Sequence, residues 1–181
     1  MSNIPQPYQW VEKIPALPKM IALGLTLVGI KEIPGPLHNN PVIMGMAKDL
    51  SVENIYPNDE MAWCALSQSW ICLKTGKPLP GTGKQYDLLR ARMFLKWGSP
   101  AALPMFGDIL VIKRVGGQHV CMYIGEDITH YHVMGGNQSN SYGFTRIEKD
   151  LLIEQARRYY SIAPPASVKQ YILSPTGQLA A

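Results

Sequence analysis

Residues 107–140, GDILVIKRVGGQHVCMYIGEDITHYHVMGGNQSN, decide the fold. Asp108 to Arg114, His119 to Gly125 and His130 to Met134 are short runs rich in β-branched and aromatic residues, the composition of strands. Gly116-Gly117 and Glu126-Asp127 split them, and such breaks predict turns, hence an antiparallel meander. Tyr142 to Ile147 reads as a further strand.

Upstream of Pro104 the period is different. Met20, Leu23, Leu27 and Ile30 recur at helical spacing from Lys19 onward, with Gly29 near the end and Pro34-Gly35-Pro36 as a stop. Val42 to Leu50 predicts a second, short helix. Asn58-Asp59-Glu60 offer helix-starting side chains for a third, Met61 to about Thr75, which Gly76 and Pro78 end. Tyr86 to Trp97 predicts another helix. Downstream, Asp150 to Ala156 reads as a short helix and Arg157 to Ile162 as a last strand. Helices first and strands afterwards make the class α+β, with N-terminal helices packed on a central antiparallel sheet. Residues 1–18, with Pro5, Pro7, Pro15 and Pro18, read as an extended arm. Residues 19–162 then form the domain, and 163–181 a tail.

The chain has 181 residues, 46% of them hydrophobic and 17% charged, which suits one soluble globular domain. The net charge of +4 is spread along the sequence, with no cationic run longer than Arg157-Arg158, so no nucleic-acid stripe is expected. The apolar run Met20 to Ile30 is too short to span a bilayer, and it begins too far into the chain for a signal peptide. Synthesis in a cytoplasm is therefore expected, with a separate route out for any work on a cell wall. The three cysteines, 64, 72 and 121, form no CxxC pair, which argues against a disulfide framework or a four-ligand zinc site. Neither a cofactor nor a metal is expected.

Cys64 falls near the start of the third helix, where the helix dipole favours a thiolate, and His119 opens a strand. Helix-borne cysteine followed by strand-borne histidine is the arrangement of papain-like hydrolases. If Glu126 to Thr129 form the turn, Gly125 faces His130, and His119 faces residue 136, beside Asn137. Asn137 is then the expected acceptor from the second ring nitrogen of His119, with Gln138 in reserve; Asn137 could equally be turn chemistry. Cys72 and Cys121 read as core residues, and His130 and His132 as turn and surface residues rather than a metal pair. Trp63 reads as a core anchor or a groove wall, and Asp59 as a helix-start charge or a substrate contact.

Four segments occur in order: Asp59-Glu60-Met61-Ala62-Trp63-Cys64-Ala65, Gly107-Asp108-Ile109-Leu110-Val111, His119-Val120 and Gly135-Gly136-Asn137-Gln138-Ser139-Asn140. Together they resemble the NlpC-type and CHAP-type cysteine hydrolases of bacteria and their phages, in particular a subgroup found in phage lysins. The likeness covers roughly residues 20–162. It implies a papain-like fold, Cys64 as nucleophile, His119 as base, Asn137 as third polar residue, and Trp63, Asp59, Gln118 and Gln138 along the substrate groove. The implied activity is peptide or amide cleavage in peptidoglycan by a monomer, without cofactor, nucleic acid or stable membrane insertion. Two departures stand out: Gln118 replaces the usual glycine before the histidine, and Cys121 replaces a glycine or aliphatic residue after His-Val. Alternatives are a non-catalytic phage structural or wall-binding protein on the same fold, and a cysteine amidase acting on other amides.

Overall fold

The computed structural model describes residues 3–35 and 38–180. Pro36, the last of the residues expected to stop the first helix, lies outside them. Three α-helices precede a six-stranded antiparallel sheet: α1 (Lys19–Leu27), α2 (Pro41–Asp49), α3 (Cys64–Lys74), β1 (Ser99–Ala101), β2 (Ile109–Arg114), β3 (Gly117–Glu126), β4 (His130–Gln138), β5 (Ser141–Glu148) and β6 (Ala156–Arg158). The sheet order is β1-β6-β2-β3-β4-β5. The chain is therefore α+β. No helix among the described residues is long and apolar enough to cross a membrane.

The period-two alternation of β3 divides two apolar layers. Val120, Met122 and Ile124 join Ile109, Val111, Met134 and Tyr142 in the main core, together with α1, α2 and α3. Cys121 and Tyr123 join Leu110, Ile112, Val133 and Ala156 in a smaller cluster on the other face. The helices come very close to the sheet. A Cβ on Gly24 of α1 would lie 2.7 Å from the Met134 methyl and 2.8 Å from both the Met122 methyl and the Tyr142 hydroxyl, so a larger residue there would have to displace side-chain ends on the sheet. Beyond α1, Gly29 and Glu32 donate to the carbonyls of Tyr142 and Asn140, fastening residues 29–32 along the start of β5.

Several local expectations are corrected. The third helix starts at Cys64, three residues later than Met61. Asp59 and Glu60 accept instead from loop amides, those of Ile33 and Asn40 for Asp59 and that of Gly35 for Glu60. Gln85–Leu89 and Ala91–Lys96 are two 3-10 turns rather than one α-helix, and 3-10 turn Lys149–Leu151 is all that forms of the expected helix at 150–156. The N-terminal segment is not extended: Gln6–Lys13 winds as a 3-10 helix with Pro7 in its first turn, where the missing N–H costs nothing. Its Tyr8 stacks on Phe144 with ring centres 4.3 Å apart. The C-terminal segment is also packed down: Leu173 is buried, Ile172 bridges to Glu126, and the Trp10 indole donates to the Gly177 carbonyl.

His132, expected at the surface, is fully buried. Its Nε2–H donates to Asp127 at 2.9 Å, which leaves Nδ1 to accept from the Tyr8 hydroxyl at 2.7 Å. The Arg146 guanidinium, bonded to Asp127 at 2.6 Å, holds that carboxyl well below the usual carboxylate range. This chain of partners compensates the burial of an imidazole and a carboxylate, and fixes the N-terminal segment to the sheet.

Candidate active site

Trp63 is the residue before α3 and no side chain caps this helix, so its first backbone N–H groups keep their donor capacity. The Trp63 ring is fully buried and its indole donates to Glu32 at 2.6 Å. Trp63 is thus a core anchor and not a groove wall. Asp59 is likewise fully buried; one carboxylate oxygen serves two loop amides, while Oδ1 has no partner. It holds the loop before α3 and cannot touch a bound polymer.

The first turn of α3 rests on β4 at a pair of glycines. A Cβ on Gly136 would lie 2.5 Å from the Ser67 hydroxyl and 2.7 Å from the Trp63 ring, while one on Gly135 would lie 3.1 Å from the Cys121 Cβ. Trp63 and Ser67 flank Cys64 in sequence, so any side chain at 136 would lift the nucleophile's helix off the sheet. The Cys64 thiol is 4% exposed. Its presence, after burial itself, raises the Cys121 thiol well above its ordinary range. Cys121 lies two residues from His119 on the same strand face.

His119 is directly opposite Ile112 on β2, and is buried. The hydrogen bond expected from Asn137 is made by Gln138, whose Oε1 lies 3.2 Å from His119 Nε2. The reason is an irregularity in β4: the pairing to β5 shifts between Gly135 and Gln138, and Asn137 takes a left-handed φ of 56°. The expected register is also displaced, since Gly125 faces His132 and a further shift follows between Tyr123 and Gly125. Asn137 remains at the site's rim, in the wall of the adjoining groove.

The protonation state of His119 follows from its partner. Gln138 donates its amide N–H groups to the carbonyls of Gly135 at 3.2 Å and Gly143 at 2.5 Å. Its oxygen must then face the imidazole, so Nε2 carries the proton and Nδ1 carries the lone pair. Nδ1 is buried with no hydrogen-bond partner. Burial pulls the His119 pKa down to about 4, against the opposite pull of Gln138 and with a smaller push from Arg114. At neutral pH the ring is uncharged, so no imidazolium is available as a partner for a thiolate. No hydrogen bond joins Cys64 to Nδ1. Cys64 belongs to the main core on the helix side of the sheet, whereas His119 shares its strand face with Cys121 of the smaller cluster.

Beside His119 lies a groove of about 410 Å³ walled by Lys113, Arg114, Asn137, Gln138 and Thr145. Gln118 is half-buried opposite Lys113 at its edge, and Cys64 does not line it. Two features were not read from the sequence: the amide clamp of Gln138 and the seat of Ser67 on Gly136.

Gln138→Glu tests the clamp. A carboxylate facing Nε2 favours the charged ring, so the His119 midpoint is expected to rise by about one to three units, read from its ring-proton shift in an NMR titration. Stability should follow. In the parent chain the unfolded state takes up a proton that folded His119 refuses, so stability falls as pH drops from about 6.5 toward about 4. The substitution should weaken that dependence. An unmoved midpoint would remove Gln138 as the partner.

No family model matches the chain, and neither the curated proteins nor the solved structures yield a match.

Proposed function

We propose that the chain is a cysteine hydrolase of papain-like, NlpC/CHAP-related fold that cuts a peptide or amide bond in peptidoglycan stem peptides. The observation that carries this reading is the state of His119: a buried imidazole, held by an amide clamp, with an unprotonated and unpartnered Nδ1. Such a nitrogen is a free acceptor for a proton, and it acts as a general base at neutral pH once a negative or polar partner raises its basicity from the level that burial sets. Cys64 begins the helix seated two residues from that clamp, with uncapped backbone N–H groups around it.

In this mechanism Nδ1 takes the thiol proton as the sulfur attacks the scissile carbonyl. The N–H groups at the start of α3 stabilise the oxyanion. The imidazolium then protonates the leaving amine, and the neutral ring activates the water that releases the acyl group. Gln138, rather than Asn137, orients the ring. Attack requires Cys64 Sγ and Nδ1 to meet, which means a substrate-induced rearrangement of the seat of α3 on β4 and not a mere side-chain rotation. Lys113 and Arg114 give the groove a positive side suited to the carboxylates of stem peptides.

One observation favours a second reading, a non-catalytic wall-binding or virion protein: the missing hydrogen bond between Cys64 and His119. Digestion of purified peptidoglycan followed by mass spectrometry separates the two. The parent chain should release new fragments and Cys64→Ala should release none above background. Equal release by both, or release by neither, removes the hydrolase. Cleavage of small amides with the wall left intact would make it a cysteine amidase of another kind.

A further inference from the structure

Away from His119, a cavity of about 370 Å³ opens between the segment before α1, the end of α3 and residues 159–165 after β6. That volume falls within the range of small-molecule sites. Leu17, Met20, Tyr159, Tyr160 and Ile162 make its walls largely apolar, and Ile162 is 81% exposed at it. Two ammonium groups, Lys19 and Lys77, also line it, and no carboxylate does.

Lys19 stands against its helix dipole, and Lys77 is drawn partly out of solvent. Lys19 is the first residue of α1, the helix end at which the dipole disfavours positive charge. Lys77 is half-buried; its Nζ donates to the Tyr159 carbonyl at 2.7 Å and lies 4.2 Å from the Tyr160 ring centre. Burial lowers its pKa, and repulsion from Lys19 adds to that. Among the described residues neither lysine is ion-paired with an acid. Two neighbouring cations facing an apolar hollow, with no counter-ion, are complementary to a molecule carrying one negative group on an apolar body.

We infer that this cavity binds a small amphipathic carboxylate, its apolar body against Leu17, Met20 and Ile162 and its carboxylate between Lys19 and Lys77. The cavity is separate from the His119 groove, so the inference stands whether or not the chain is a hydrolase.

Calorimetric titration of the full chain with octanoate tests it, with octanol as the uncharged body and inorganic phosphate as the bodiless charge. Octanoate should saturate a single site at least about tenfold more tightly than octanol, and phosphate should not compete. Lys77→Met and Lys19→Gln should each bring octanoate close to the octanol level. Lys19 is exposed, so its variant folds even if the other does not. Ala163→Trp, which fills the hollow, should abolish both. Equal binding of octanoate and octanol, no binding at all, or octanoate affinity unchanged in the folded variants overturns the inference. Sedimentation with anionic phospholipid vesicles, without octanoate binding, would assign the cations to a lipid surface and overturn it too.

Discussion

His119→Ala should lower wall hydrolysis by roughly a thousandfold while leaving the fold in place, because it removes both the acceptor of the thiol proton and the donor to the leaving amine. His119→Gln should lose as much, since an amide has no basic nitrogen. A second readout distinguishes a base from a packing residue. Alkylation of Cys64 by a small haloacetamide, run with peptidoglycan fragments bound so that the site is closed, should be faster in the parent chain than in either variant. Cys121 and Cys72, whose thiols burial raises, should stay unlabelled throughout. Full hydrolysis in either variant would eliminate His119 from the mechanism.

The largest effect on stability is expected from Arg158→Met. Asp108 is 1% exposed and takes two bonds of 2.7 Å from the Arg158 guanidinium, plus one of 2.8 Å from the Met105 amide. Burial pushes its carboxyl above the ordinary value, against the pull of Arg158. Without the guanidinium, a charge is stranded inside the protein, and breaking such a pair costs about 3–5 kcal/mol. The sign of the pH dependence is fixed: protonation relieves the stranded carboxylate, so the deficit should shrink from pH 8 to pH 5. Denaturant unfolding at the two pH values reads this. Arg158→Met combined with Asp108→Asn should recover part of the loss at pH 8. A deficit under about 1 kcal/mol at pH 8 would show that the pair is not a structural clamp.

The α+β class and the meander were legible because strand composition and turn residues are local properties. Cys64 at a helix start was legible for the same reason, though the start lies three residues late: the Asp59 and Glu60 carboxylates cap loop amides from Ile33, Gly35 and Asn40, partners a sequence window does not contain. The choice between Asn137 and Gln138 depended on register. A bulge near Gly125 and an irregularity after Gly135 each moved the pairing by a residue, and a one-residue slip reverses which side chain faces the histidine. His132 was misplaced because its partner Tyr8 comes from a segment read as an extended arm, whose prolines hid the helical turn that brings Tyr8 to it.

The junction of Tyr8, Trp10 and Gly177 makes the segments at 6–13 and 171–179 part of one another's support. Tyr8 holds Phe144 and His132 without that partner, so only the Trp10 bond waits on residue 177.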